Sequence, residues 1–345
     1  VKYLAPSRAR GRFFKNRGAV AGCVMIAILL IFAAFGPILT SHDPYASDFV
    51  HGVMGASGVP VGPSAEFLFG TDRIFRDQFA RLALGARLSL IIAFAATAIA
   101  TIIGAAVGIL AGYYEGSEGL RVPWPLIFAI VVGLFGATSG HLSLTWIALV
   151  VGVLATVAGV VGKVPRLRAG PSINLDTALM RLVDVGLSFP FLLLVMAVGA
   201  AVDRTTVTSI LIVLGLTGWL GTARILRAKT LQVRHLEYVV AARALGLRTP
   251  AILFRHILPN VAGPLIVIAT ASVAQMIVAE SVLSYLGVGI SPPTPTWGHM
   301  LFEGQDYYVA APWLVAAPAG AILLAVFGFN LVGEGLRDAL DAKEI

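Results

Sequence analysis

Charge is the scarcest property of this 345-residue chain: 12% of it is Asp, Glu, Lys or Arg, against 58% hydrophobic residues, with a mean hydropathy of +0.88. A soluble protein of this length needs a polar skin that such a composition cannot supply. Cysteine is represented by Cys23 alone, which excludes an internal disulfide framework and any Cys-based zinc or iron–sulfur site. The six histidines (His42, His51, His141, His235, His256 and His299) contain no H-E-x-x-H and no pair four residues apart, so no helical metal site is written in them. Among the lysines only Lys163 follows a glycine, and Val164 comes next, so the phosphate-cradling G-x-x-x-x-G-K-[ST] is missing. The chain is not expected to hydrolyse ATP unaided. No ionisable residue falls at the centre of a predicted span. Asp184, Asp203, Glu280 and Glu334 fall near span ends, where solvated or snorkelling charges are expected, so a proton relay lacks its usual signature.

What the chain has instead is long uncharged runs. A hydrocarbon core of about 30 Å needs roughly 20 apolar residues in helical form. Such runs extend over Gly18–Ser41, Leu88–Tyr114, Val122–Gly162, Val185–Val202, Thr205–Ala223, His256–Ala279 and Tyr307–Gly333. The third is too long for one helix, and its turn-forming "ATSGH" (Ala137–His141) divides it near 123–139 and 143–162, which makes eight spans. Pro190 is expected to kink the span that contains it. The uncharged stretch after Ser281 carries Pro292, Pro293 and Pro295 and reads as a loop. The first apolar run exceeds the roughly 7 to 15 residues of a signal core and lacks an A-x-A site, so it reads as an uncleaved anchor.

The few charges then give the topology. With the N-terminus inside, 20 of the 25 basic residues fall on the cytoplasmic side, leaving Arg73, Arg76, Arg81, Arg87 and Arg204 outside. This bias predicts N-in, C-in. The expected organisation is a basic N-terminus and first helix at 1–41, an extracytoplasmic loop with an amphipathic helix at 42–87, and a core at 88–335. Within the core lie the helix pair at 122–162 and a basic cytoplasmic segment at 224–260, and a cytoplasmic tail follows at 336–345. In the outer loop, Asp77 and Arg81 are four apart and can form an exposed pair, worth only about 0.3 to 0.5 kcal/mol.

The segment "RHLEYVVAARALGLRTPAILFRHILPN" (Arg234–Asn260) is the most informative. Its first half predicts a helix with Val239, Ala242 and Gly246 on one stripe and Arg243 on the next; small residues there let another surface approach closely. Gly246 suits a left-handed helix end, and Pro250 suits the first turn of a second helix running toward Pro259. Spacing alone leaves two readings, a docking knob or a membrane-surface loop. Ala241, Ala242, Gly246, Leu258 and Pro259 match the coupling motif of ABC importer permeases, E-A-A-x3-G-x9-I-x-L-P. Val240 stands where the motif's acid would be and His256 where its isoleucine would be.

The blocks "FGTDRIFRDQFARLALGARLSL" (Phe69–Leu90), "GYYEG", "LMRLVDVGLSFP" (Leu179–Pro190), "AESVLSYLGVGISPPTPTWGHML" (Ala279–Leu301) and "NLVGEGLRDALD" (Asn330–Asp341) extend the likeness over most of the chain. The sequence resembles the C-type subunit of the dipeptide/oligopeptide/nickel permease family. Two departures stand out: Phe75, where the family usually has glycine, and the extra segment 122–162. The resemblance implies an all-α integral membrane bundle of the type I ABC importer kind, with a six-span core plus the inserted pair, multi-pass in a bacterial inner membrane. It implies a B-type permease partner forming a heterodimer, one or two P-loop ATPase subunits that hold ATP and Mg, an extracytoplasmic solute-binding protein, membrane lipid and a peptide cargo, and no nucleic acid. No catalytic, cofactor or metal site is implied on this chain. Ala241, Ala242, Arg243, Gly246, Leu258 and Pro259 are the expected ATPase-docking residues. Pro292, Pro293 and Trp297 resemble outer-face elements that meet the binding protein, with an interfacial anchor the alternative for Trp297. Nickel, glutathione or another small solute is the alternative cargo, and a secondary transporter or membrane scaffold the alternative class.

Overall fold

The computed structural model describes residues 6–54, 58–116, 120–121, 172–201 and 206–340, with isolated positions between 122 and 171. By contacts the chain divides into two compact units, Val1–Ile109 with Val185–Ile345, and Leu110–Asp184. Helices suit such a chain because in a hydrocarbon environment every backbone N–H and C=O must be paired within the protein, and a helix does so within one segment.

The larger unit opens with α1 (Pro6–Lys15) and α2 (Arg17–Leu39). Asn16 divides them: its side-chain oxygen accepts from Ala19 N–H at 3.2 Å, capping α2, while its amide donates to Asp338 at 3.1 Å. Helix α2 lies along the last helix, α12 (Trp313–Leu340), and the close contact runs through Gly22 and Gly328, where side chains would separate the backbones. The described residues between 40 and 77 form an irregular lobe in which two-residue strand β1 (Val53–Met54) pairs with β2 (Val59–Pro60); Phe67 is buried there, and the His42 ring stacks on it at 4.8 Å.

Helix α3 (Gln78–Tyr113) starts ten residues before the predicted span and absorbs the expected amphipathic helix into one continuous element. The Asp77 carboxylate accepts from Phe79 N–H at 2.8 Å and fixes that start. Its alanines at 80, 83, 86, 93, 96 and 100 are buried, so the small stripe that made 78–87 look amphipathic simply continues into the bundle.

The smaller unit holds the end of α3, the two-residue strands β3 (Leu120–Arg121) and β4 (Ser172–Ile173), paired antiparallel, and most of α4 (Leu175–Leu187). The predicted helix pair at 123–139 and 143–162 falls outside the described residues apart from isolated helical positions.

Pro190 breaks the predicted fifth span instead of kinking it. Helix α4 (Leu175–Leu187) stops at Leu187, and the helix restarts as α5 (Phe191–Ala200) with Pro190 as its N-terminal flanking residue, where the missing N–H costs nothing. Next come α6 (Val207–Thr217) and α7 (Trp219–Arg234), joined at Gly218; the sixth span thus runs on to Arg234, beyond the predicted Ala223. Then follow α8 (Glu237–Ala244), α9 (Thr249–Ile252), one π-helical turn (Leu253–Ile257), α10 (Leu258–Tyr285) and α11 (Trp297–Gly304) before α12.

Among the described residues five helices are long and apolar enough to cross a membrane, or six if the broken α4–α5 pair is one span. Their common core draws on α2, α3, α5, α6, α10, α11 and α12, with Ile92, Ala96, Leu214, Ile277, Leu283 and Ala325 fully or almost fully buried. Arg81 and Glu280 depart from their expected solvated setting and lie inside this packing.

Candidate functional site

The basic segment folds as two helices around a tight turn. Helix α8 ends in a complete Schellman arrangement: Gly246 N–H donates to Arg243 C=O at 3.0 Å and Leu247 N–H to Ala242 C=O at 3.2 Å. The turn needs φ = +76° at Gly246, a conformation that a side chain resists. Pro250 sits in the first turn of α9, as its fixed φ favours. The second helix does not end near Pro259: α9 passes through the π turn into α10, so Leu258 and Pro259 lie at the first positions of a membrane-crossing helix.

Ala241, Arg243 and Gly246 are exposed, as is Pro259, while Leu258 is half-buried. Ala242 corrects the expected docking face. It is 5% exposed and, like Val239, packs inside the chain, whereas Gly246 on the same expected stripe is exposed. The outward face presents Val240 and Leu245 beside Ala241 and Arg243.

At another place in the same unit, charges that spacing assigned to a loop surface are buried together. Arg76 Nε donates to Asp72 Oδ2 at 2.6 Å and its Nη2 to Glu303 Oε1 at 2.8 Å. Arg81 Nη2 donates to Glu303 Oε2 at 2.5 Å, and its Nε lies 3.2 Å from Asp72 Oδ2. The expected Asp77–Arg81 pair does not form; Asp77 instead accepts from Thr40 at 2.9 Å and approaches His42 at the same distance. Two guanidiniums and two carboxylates therefore balance inside the protein, the arrangement that burial of charge demands. Burial alone would raise the Glu303 carboxyl, but the His299 ring 3.6 Å away and the charges of Arg81 and Arg76 hold it down at about 2, so it is ionised at neutral pH.

Glu280, expected near a solvated span end, is fully buried. It accepts from Ser89 Oγ at 3.1 Å and Ser284 Oγ at 2.8 Å, joining α3 to the end of α10. Trp297 is also fully buried, on the α11 side of the core, so its ring reaches neither an outer surface nor a lipid interface. Pro292 and Pro293, joined by a cis bond, remain exposed.

The third feature is a cavity of about 770 Å³ lined by the α4–α5 break, the Gly218 junction, α10 and α12. Phe189, Pro190 and Phe191 form one wall, Met276 and Ala279 another, and Gln275 and Asn330 contribute carboxamides. Of these lining residues Pro190 is legible in the sequence as a break in a span, whereas the asparagine and the glutamine belong to no motif and no spacing pattern.

Long apolar helices around a cavity, broken at its wall and continued into a turn-closed knob, define a multi-pass membrane protein of the transport class. Residues 157–344 match the family described as "Binding-protein-dependent transport system inner membrane component", and residues 7–52 match "N-terminal TM domain of oligopeptide transport permease C". The chain is 33% identical to the dipeptide transport system permease protein DppC of Alkalihalophilus pseudofirmus, over 95% of this chain and 87% of that one. It is 31% identical to the oligopeptide transport system permease protein OppC of Bacillus subtilis, over 96% and 88%, and 32% identical to OppC of Salmonella typhimurium, over 97% and 90%. The chain belongs to the binding-protein-dependent inner-membrane permease family, whose members are transport subunits and not enzymes.

Proposed function

We propose that this chain is the C-type permease of an ATP-driven importer of di- and oligopeptides. Its relatives carry those cargoes in their names, and the peptide reading comes from them. The remaining roles follow the same reading. A B-type permease completes the pathway, separate P-loop ATPases hold ATP and Mg, and an extracytoplasmic binding protein delivers the cargo. The N- and C-termini are cytoplasmic, as the distribution of basic residues favours. The domain limits are those of the charge pattern: 1–41, 42–87, 88–335 with 122–162 and 224–260 inside it, and 336–345.

The observation that carries the coupling role is the knob's construction. A rigid Schellman turn at Gly246 presents Ala241, Arg243 and Gly246 to solvent with Val240 and Leu245, and Leu258 and Pro259 begin the membrane helix to which the knob is joined. Such a surface receives force from a partner and passes it into the membrane. Arg243 supplies a guanidinium for a carboxylate or carbonyl of the ATPase. Pro292 and Pro293 remain the proposed contact with the binding protein, without Trp297.

The test is Gly246→Asp, with Gly246→Asn as its partner, because Asn tolerates the left-handed turn. The aspartate is expected to abolish ATP-driven uptake and weaken ATPase docking while membrane insertion stays normal, and Gly246→Asn should keep most of the activity. Unchanged uptake in Gly246→Asp would remove the docking assignment.

A further inference from the structure

Among the described residues, the lining of the cavity contains no Asp, Glu, Lys, Arg or His. Its polar side chains are Thr217, Gln275 and Asn330, and the Thr217 hydroxyl is already committed, donating to Val213 C=O at 2.8 Å. Gln275 and Asn330 are exposed, and among the described residues neither amide has a hydrogen-bond partner in the chain. Gln275 precedes the end of α10 by ten residues and Asn330 precedes the end of α12 by ten, so both lie well inside spans. A carboxamide without a partner is costly against lipid and is retained in a span where it faces a cavity or a ligand.

A carboxamide carries one carbonyl acceptor and an NH2 donor. A peptide bond offers the complementary pair, whatever its side chains. The surrounding wall of Phe189, Phe191, Leu192 and Met276 tolerates apolar side chains of varied shape, Met by its flexibility. None of the described lining residues carries a fixed charge that would favour acidic over basic side chains or the reverse. We infer that Gln275 and Asn330 are the backbone-reading pair of the transport pathway, holding a peptide in transit by its amide groups and not by side-chain charge; this rests on the importer reading above.

The test uses the complete transporter in proteoliposomes, with Cys23→Ser to remove this chain's own thiol and labelling read on this chain alone. Gln275→Cys and Asn330→Cys are labelled with a small hydrophilic maleimide, and Ile102→Cys, on an exposed apolar face of α3, serves as the lipid-side comparison. Both cavity positions should react about tenfold faster than position 102 and be protected by trialanine. In uptake assays Gln275→Leu/Asn330→Leu should slow neutral, acidic and basic tripeptides alike by about tenfold. Gln275→Glu should shift preference toward lysine-containing peptides by a similar factor. Labelling no faster than at position 102, peptide-independent cross-linking of position 275 to the second permease, labelling that no peptide slows, or undiminished uptake by the double leucine variant would each overturn the inference. Rapid, trialanine-protected labelling of the two cysteine variants, together with no ATP-driven peptide uptake by the complex of unmodified subunits, would count against the importer reading and leave the pair in place.

Discussion

Arg81 is fully buried, and it is tolerated there because Asp72 and Glu303 surround it and Arg76 completes the neutral set. Removing one member leaves an uncompensated buried charge, which costs about 3 to 5 kcal/mol. Arg81→Met is therefore expected to lower the thermal midpoint in detergent strongly. Arg73→Met, whose group is 42% exposed and 3.9 Å from Glu303, should change stability by less than about 1 kcal/mol. Equal losses in the two variants would show that the buried set is not what stabilises this lobe. None of this was legible locally. Arg81 and Asp77 have the spacing of a helical pair, whereas the true partner, Glu303, is 222 residues away, and sequence spacing reports nothing at that separation. Glu280 was misplaced for a related reason: its position near a helix end suggested water, but Ser89 from another helix closes over it.

The entry into α3 shows how an element is fixed by the residues before it. Asp72 accepts from Ile74 N–H at 3.0 Å and Arg76 N–H at 2.9 Å, curling the chain so that Phe75 adopts φ = +63°. Phe75 also stands where the family usually has glycine, so a departure seen in sequence is a backbone strain in the structure. A β-branched residue fits this region worst. Phe75→Val is expected to destabilise by about 1 to 3 kcal/mol relative to Phe75→Gly, read as the difference in thermal midpoint; a valine variant as stable as the glycine one would refute the strain. The helix α8 and its glycine stop were legible because capping is local chemistry. The continuation of α9 into α10 was not, because Pro259 reads as a breaker unless it is seen to occupy the first turn of the next helix.

At the scale of the molecule, hydropathy identified the membrane bundle and the resemblance identified the family. Among the described residues five helices have the length and apolarity of spans, or six if the broken pair is one span. Their limits moved where apolar runs and helices do not coincide, as at Gln78 and Arg234. The segment 122–162 adds two predicted helices, which preserve parity. Its deletion should leave a reporter at residue 345 on the cytoplasmic side, and a reporter that changed sides would refute the even count. From Thr249 to Tyr285 the 37 residues of α9, the π turn and α10 form a single helical run. At 1.5 Å per residue it is a lever about 54 Å long, so a tilt of about 10° at its knob end sweeps the far end through roughly 9 Å. That far end carries Glu280 and Ser284, bonded to each other, and Glu280 is bonded to Ser89 of α3. In the proposed importer, a small angular input at the knob would arrive at the opposite end of the lever as a displacement comparable to the spacing between packed helices.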